Sequence, residues 1–188
     1  MVKKENFSSP VPEKRSSGFM GELEQFKHEY DKRSGMLLEK INAVAFAAAS
    51  EEIKSWADGL SSDRANIFAG LDQCINITDA LNEKVSAGRL AGQNEQIIAD
   101  VTSSEKDILG KLTGMQRISS ASLQRAFSLG LPTQIKNLEK NTGSLLAEAI
   151  NACTDLTQFM SNELQDLAIF LKEHYKTVTH PLDENHPE

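Results

Sequence analysis

Residues 144–171 read SLLAEAINACTDLTQFMSNELQDLAIFL, and this stretch decides the fold class. Apolar side chains recur in it at steps of three and four residues, which is the spacing of one face of an α-helix. The positions on that face are Leu145, Ala149, Cys153, Leu156, Met160, Leu164, Leu167 and Leu171. The pattern predicts a final helix of about 45 residues that begins near Pro132, because proline is tolerated in a first helical turn.

The same periodicity predicts two helices in the first half of the chain. The first begins near Gly21 and ends at residues 58–59, because the glycine there suits the left-handed conformation that closes a helix. The second is capped by Ser61 or Ser62 and ends at residues 87–88.

A further helix is predicted between these two and the final one. It starts near Asn94 and runs to Phe127, and its middle is weakened because Gly110 and Gly114 each cost about 1 kcal/mol relative to alanine. We expect one long helix with a soft or kinked middle, and a break within residues 114–120 is the alternative. No alternating strand pattern accompanies the helical stripes, so the predicted fold class is all-α.

The breaks between the predicted helices are short, and short connections make neighbouring helices antiparallel. The sequence therefore predicts an elongated antiparallel bundle of about four long helices, forming a single domain over residues 20–178. Residues 1–19 and the acidic residues 179–188 carry no apolar period, and both are predicted to be disordered tails.

Composition narrows the class of protein. The chain has 188 residues, 39% of them hydrophobic, and a formal net charge of −7, which argues against general affinity for nucleic acid. No apolar run approaches the roughly 20 residues of a transmembrane helix, and the first residues lack the apolar core of a secretory signal peptide.

The two cysteines, Cys74 and Cys153, are too few for a disulfide scaffold, so we expect buried thiols. A cytoplasmic location is predicted, with non-classical secretion as the open alternative.

No constellation of residues predicts an enzyme, a cofactor or a metal site. Three of the four histidines, His174, His180 and His186, are six residues apart, which does not place two of them on one helix face as a zinc pair requires. The carboxylates lack the Glu-x-x-His motif of di-iron bundles. Phosphate-binding glycine loops and nucleophile motifs are also missing from the sequence.

The distribution of charge offers one candidate binding feature. No acidic residue occurs in the 31 positions between Asp107 and Glu139, and this interval holds four cations. We predict a basic stretch made of Lys111, Arg117, Arg125 and Lys136. The favoured interpretation is that it neutralises acidic faces of neighbouring helices, and the alternative is that it meets an acidic partner or an anionic surface.

These features favour a non-enzymatic helical interaction protein that binds other proteins through long amphipathic helix faces, as an adaptor, a chaperone-like factor or a structural coiled-coil component. Its expected partners are proteins, with a second copy of the chain among them as a homodimer, and not nucleic acid. The alanine-rich residues 43–49 and the long amphipathic helices resemble, in composition, phasins, the coat proteins of polyester storage granules. That resemblance implies, as an alternative, a peripheral protein on a lipid or polyester surface, and a secreted bacterial effector is a further one.

Overall fold

The chain is helical throughout the part that the structure describes. The computed structural model describes residues 18–183, with side chains through residue 180. Its elements are α1 (Phe19–Ala48), α2 (Glu51–Ala91), α3 (Asn94–Ser128), α4 (Leu131–Gln134), a 3-10 turn (Ile135–Asn137) and α5 (Lys140–Asp183). Residues 18–183 contain no strand, which confirms the predicted all-α class. None of the helices in this part of the chain combines the length and the apolarity that a membrane crossing requires.

The first helix ends ten residues earlier than the sequence predicted. Ala49 adopts the left-handed conformation with φ 48°, and Ser50 then caps α2 by accepting a hydrogen bond from the backbone N–H of Ile53 at 3.4 Å. Glu51 follows in the first turn of α2, where a carboxylate stabilises the helix N-terminus. The predicted boundary at residues 58–59 is therefore wrong, because a serine cap with acidic residues behind it is the stronger start signal.

Helix α2 is longer than its glycines suggested, and α3 is not interrupted by its own. Gly92 ends α2 with φ 68°, one turn beyond the predicted ending, and Gly88 stays inside the helix. A Cβ on Gly88 would stand 2.7 Å from Cγ1 of Ile97, so this glycine permits close approach of α3. Helix α3 is continuous through Gly110 and Gly114, which excludes the alternative of a break between residues 114 and 120.

The final helix begins later than predicted. Gly130, with φ 67°, and the following Pro132 start only the four-residue α4, and α5 begins at Lys140 after the 3-10 turn. A Cβ on Gly143 would lie 2.7 Å from the carbonyl oxygen of Ile135, so the turn folds back against the first residues of α5. The connection between α3 and α5 is therefore a packed segment of eleven residues instead of a tight break.

The buried side chains follow the predicted stripes. Helix α1 contacts α2 and α5, and α3 contacts the same two helices. On α5 the stripe from Ala149 to Leu171 is buried as predicted. Leu145 is an exception: it is 39% exposed, and Leu146 is buried in its place. Leu146 precedes the buried Cys153 by seven residues, two helical turns, and therefore lies on the same face, whereas Leu145 is turned away from it.

The described helices extend slightly into both predicted tails. Phe19 is buried and its ring stacks on Phe170 at a centroid distance of 6.4 Å. Helix α5 continues to Asp183, past residue 179 where the second tail was predicted to begin. Residues 1–17 and 184–188, which make up the rest of these tails, lie outside the described residues.

Candidate functional site

The predicted basic stretch is divided between two environments. Lys111 donates a hydrogen bond from Nζ to Oε1 of Gln73 on α2 at 2.5 Å. Arg125 also reaches α2, as described below, whereas Arg117 is exposed on α3 and Lys136 is exposed in the 3-10 turn. Two of the four cations therefore bond to the neighbouring helix, but only Arg125 bonds to an acidic side chain there, because Gln73 carries no charge.

Arg125 belongs to a polar cluster between α2 and α3. Its Nη1 donates to Oδ2 of Asp63 at 2.9 Å, and the hydroxyl of Ser122 donates to the same oxygen at 2.7 Å. The Asp63 side chain is only 15% exposed, so the two donors compensate for its loss of water. One turn away, the indole N–H of Trp56 donates to the backbone carbonyl of Ser122 at 3.2 Å. Gly59 lies beneath the guanidinium, where a Cβ would overlap Arg125.

A second polar group lies between α1 and α2. Arg64 donates from Nε to the hydroxyl of Ser34 at 2.9 Å and forms an ion pair with Asp31. Its guanidinium also covers the Phe68 ring at 4.8 Å from the centroid, within the range of a cation–π contact. Between this group and the Asp63 cluster is a cavity of about 20 Å³, lined by residues of α1, α2, α3 and α5. A space of that size holds one water molecule and no organic substrate.

The two cysteines occupy buried positions, as predicted. Burial raises the pKa of the Cys74 thiol and that of the Cys153 thiol, each to about 11. At Cys153 a hydrogen bond from Thr157 lowers the pKa, but burial has the larger effect. Both therefore remain protonated at neutral pH, and a protonated thiol is a poor nucleophile and a poor metal ligand. Their position and chemistry are those of apolar core residues.

The histidines within the described residues are dispersed. His28 lies on α1, His174 is half-buried against Phe170, and His180 is exposed near the end of α5. Burial lowers the pKa of His174. Among residues 18–180, whose side chains the structure describes, no group of three or more histidine, cysteine or acidic side chains is arranged to hold a metal ion.

A run of exposed positions follows the side of α1 that faces away from the core. We call Lys32, Met36, Glu39, Ala43 and Phe46 the α1 outer stripe, and all five are exposed. Phe46 is 92% exposed and Met36 is 55% exposed. The surface extends toward α5, where the ion pair between Lys40 and Glu148 at 3.4 Å lies one turn from the exposed Leu145.

The stripe lies partly in an uncharged segment. Residues 41–50, INAVAFAAAS, contain no charged side chain, and the buried positions in this decapeptide are Ile41 and Val44. Met36, Ala43 and Phe46 recur at helical spacing on the side of α1 opposite to its buried residues, and the apolar period that predicted the helix did not identify them. An exposed phenylalanine in an uncharged helical segment is the signal that would have identified this surface.

Four further large apolar side chains are strongly exposed among the described residues, and they lie apart along the chain: Leu90, Phe127, Leu145 and Ile169. Leu145 lies one turn from Glu148, the α5 partner of Lys40, whereas the α1 outer stripe carries two exposed large apolar side chains on one helix, Met36 and Phe46. Comparison with protein-family models, with curated proteins and with solved structures found no match to this chain.

Proposed function

We propose that this protein is a non-enzymatic helical interaction protein, with an elongated antiparallel bundle spanning residues 20–178 as its single domain. The order of contacts supports the antiparallel arrangement. Lys27 and Asp31 follow each other along α1, and their partners on α2 come in the reverse order. Lys27 pairs with Asp72, and Asp31 pairs with Arg64. The same inverse order holds for the other contacting helices. Helices α2 and α3 are joined by Gln73–Lys111 and Asp63–Arg125. Helices α3 and α5 are joined by Gln116–Ser161 and Ser119–Thr157, and α1 and α5 by Arg33–Phe159 and Lys40–Glu148.

The length of the helices supports the elongated shape. Helix α5 has 44 residues, which at 1.5 Å per residue span about 66 Å. The inward faces are already covered within the chain, since Ile41 is fully buried and Leu164 is 2% exposed. Of the long amphipathic helix faces through which partner binding was predicted, the outward side is therefore the one proposed here.

The observation that carries the proposal is the exposure of Phe46. A phenylalanine that is 92% exposed keeps about its whole ring in water, and covering such a side chain contributes roughly 1.5–3 kcal/mol. Aromatic and methionine side chains are enriched in protein interfaces, and the α1 outer stripe offers Phe46 together with Met36. The small Ala43 between them leaves space for a partner side chain or helix.

The non-enzymatic part of the proposal is supported by the polar centre of the protein. Its charged groups bond to one another, as Arg125 does to Asp63, and the adjoining cavity has only about 20 Å³. The two cysteines are free and buried, which supports the expected reducing, cytoplasmic compartment.

Co-purification from the native cell tests the proposal. The doubly substituted variant Met36→Ser/Phe46→Ser should lose the partner that the unmodified chain retains, because two apolar contacts are removed. Phe127→Ser is the matched control, since Phe127 is also exposed, at 57%, but lies on α3. A partner that stays bound to the double variant and is lost from the control would contradict the assignment of the surface.

A peripheral coat protein is the second candidate function. What favours it is that the alanine-rich, uncharged residues 41–50 include five exposed positions, Asn42, Ala43, Phe46, Ala47 and Ala49. An exposed apolar helix surface adsorbs to lipid or polyester by burying its side chains in the boundary layer. Flotation with neutral vesicles and with polyester particles tests this candidate, and Phe46→Ser should reduce the bound fraction if it is correct.

A further inference from the structure

The inward faces of the helices carry one polar level. Asp63 occupies an inward position of α2, three residues after the buried Leu60 and four before the buried Ile67. The inward positions that line the same cavity on α1 and α3 include buried serines, which are Ser34, Ser119 and Ser122. These serines are three of the five buried polar side chains in the part of the chain that the structure describes. We call Ser34, Asp63, Ser119, Ser122 and Arg125 the polar layer.

The bonds of the polar layer tie one position of α2 to one position of α3. Oδ2 of Asp63 accepts from the Ser122 hydroxyl and from Nη1 of Arg125, and the Asp63 side chain is only 15% exposed. A carboxylate this far removed from water requires donors to replace its hydration. The two donors on α3 must therefore lie at the level of Asp63.

The apolar positions of α2 and α3 do not fix this level, because they repeat every seven residues. The buried residues at this spacing on α3 are Val101, Ile108, Met115 and Ser122. Those on α2 are Leu60, Ile67, Cys74 and Leu81. Sliding α3 along α2 by seven residues, about two turns, keeps both lines inward and places Met115 where Ser122 now lies.

The turn between α2 and α3 offers both alignments as well. Helix α2 ends at Gly92, whose φ is 68°, but Gly88 lies one turn earlier and is a second glycine at which a helix can end. The apolar period in fact predicted an end at residues 87–88. A chain that turns one helical turn earlier on α2 also begins α3 earlier, so the residues that face each other shift by about two turns.

We propose that the polar layer selects the observed alignment of α2 with α3, which ends α2 at Gly92, over the alignment shifted by seven residues. A single buried polar position specifies the register of coiled coils in the same way, at a cost in stability. The proposal goes beyond the proposed function and takes from it only the antiparallel arrangement of the helices.

The shifted alignment is disfavoured because it removes both donors from Asp63. The positions seven residues before Ser122 and Arg125 are Met115 and Ile118, and neither of these side chains donates a hydrogen bond. Asp63 would then be a buried carboxylate without the partners that compensate for its lost hydration. The apolar residues, by contrast, exchange one apolar neighbour for another.

Disulfide formation between α2 and α3 measures the alignment. A Cβ on Gly70 would lie 3.1 Å from Cγ of Met115, so Gly70→Cys/Met115→Cys, the observed pair, reports the alignment described above. Gly70→Cys/Ile108→Cys, the shifted pair, reports the alternative, because Ile108 lies seven residues earlier on α3. Both pairs are placed in a Cys74→Ala/Cys153→Ala chain, so that no native thiol competes. Mild oxidation should close the observed pair and leave the shifted pair open.

Removal of the bonds between α2 and α3 is the primary test. In Asp63→Leu/Ser122→Ala/Arg125→Leu we expect the shifted pair to close in at least about one tenth of the molecules, because the apolar lines alone fit both alignments. The urea midpoint should not fall, since all partners of the buried charge are replaced together. A chain without these bonds in which the shifted pair stays open would overturn the proposal.

Thr78→Val is the matched control. It also removes a buried hydroxyl from α2, but that hydroxyl donates to the backbone carbonyl of residue 74 in the same helix at 2.8 Å. The shifted pair should therefore stay open in this variant. Its closure would mean that loss of any buried polar group loosens the alignment, and would overturn the specific role of the layer.

Moving the donors along α3 tests the proposal without removing them. Met115→Ser/Ile118→Arg/Ser122→Met/Arg125→Ile shifts the two donors by seven residues and leaves every other position unchanged. The shifted alignment then returns a hydroxyl and a guanidinium to Asp63, so the shifted pair should close in most molecules. A shifted pair that stays open in this variant would overturn the proposal.

The two cysteine pairs also separate this proposal from the proposed function. Failure of the observed pair to close in the chain with an intact layer would contradict the antiparallel arrangement, and the proposal with it. An observed pair that closes normally, together with a shifted pair that stays open after removal of the layer, would contradict the role of the layer alone. Loss of a partner through Met36→Ser/Phe46→Ser is measured by co-purification and depends on neither disulfide.

Discussion

The guanidinium of Arg125 occupies the space that a side chain at Gly59 would need. A Cβ on Gly59 would stand 2.8 Å from Cζ of Arg125 and would overlap Nη1, the atom that donates to Asp63. The glycine is inside α2, where it costs about 1 kcal/mol of helix stability relative to alanine. The ion pair between α2 and α3 therefore depends on a residue that weakens α2.

This relationship predicts that Gly59→Ala will not stabilise the protein. The gain in helix propensity is offset by displacement of Arg125, which leaves the largely buried Asp63 with one donor fewer, and we expect the free energy of unfolding to fall by about 1 kcal/mol. Gly110→Ala is the control, because no side chain and no atom of another helix lies within 4 Å of its added Cβ, and it should raise stability by roughly 0.5–1 kcal/mol. Urea denaturation measures both.

A double-substitution cycle identifies the cause. In an Arg125→Ala background the space above Gly59 is vacated, so Gly59→Ala should become stabilising by about the same amount as Gly110→Ala. If Gly59→Ala has the same effect with and without Arg125, the clash is not the reason for the glycine.

The inward residues of α5 were predictable because they follow one period along one helix. Leu164 is 2% exposed at its predicted position, and every residue of the stripe from Ala149 onward is buried. The helix ends were harder to predict. Gly59 was predicted to end the first helix because glycine is common there, but it lies inside α2, where the absence of a side chain leaves space for Arg125 of α3. Asp63 and Arg125 are 62 residues apart, so no local pattern could pair them before the helix packing was known.

The same contrast applies to the candidate surface. The predicted cations Lys111 and Arg125 bond to α2, which follows from their position on the side of α3 that faces it. The α1 outer stripe was not predicted because an apolar period indicates buried positions, whereas Phe46 is an apolar residue that is exposed. An outward apolar residue is informative only after the inward face has been assigned.

Leu164→Ala should cost about 2–4 kcal/mol in the free energy of unfolding. The side chain is 2% exposed, so its removal leaves a cavity that the packed helices fill only in part. Leu145→Ala makes the same chemical change on the same helix at a site that is 39% exposed, and it should cost under about 1 kcal/mol. Equal costs in denaturant unfolding would mean that the inward face of α5 is not packed as described.

Reversal of charge at Arg125 and at Arg117, two cations of the basic stretch, should lower the free energy of unfolding by different amounts. Arg125→Glu places a second carboxylate against the 15% exposed Asp63, and we expect it to lower the free energy of unfolding by about 2 kcal/mol or more. Arg117→Glu changes an exposed position on the same helix and should stay within about 0.5 kcal/mol of the unmodified chain. A large loss at Arg117 would show that the stretch acts as one unit.

Alkaline titration should reveal the buried thiols. Burial raises the pKa of Cys74 and that of Cys153 to about 11 from the ordinary value near 9, so the unfolded chain releases these protons first. Between about pH 9 and 11 the unfolded state therefore binds fewer protons than the folded state, and stability falls with rising pH by up to about 1.4 kcal/mol per unit for each thiol. Below pH 9 both states hold the protons and the thiols contribute no slope.

Urea denaturation of the unmodified chain and of Cys74→Ala/Cys153→Ala at several pH values isolates this contribution, since the buried Tyr30, whose pKa burial also raises, is present in both. The variant should lose stability less steeply between pH 9 and 11, although it begins from a lower value because two core side chains are shortened. The reagent iodoacetamide gives a second measurement: at pH 8 it should leave the folded chain almost unmodified and alkylate both cysteines once urea unfolds it. Rapid alkylation of the folded chain, or identical slopes for the two proteins, would contradict the burial of these thiols as the cause of their raised pKa.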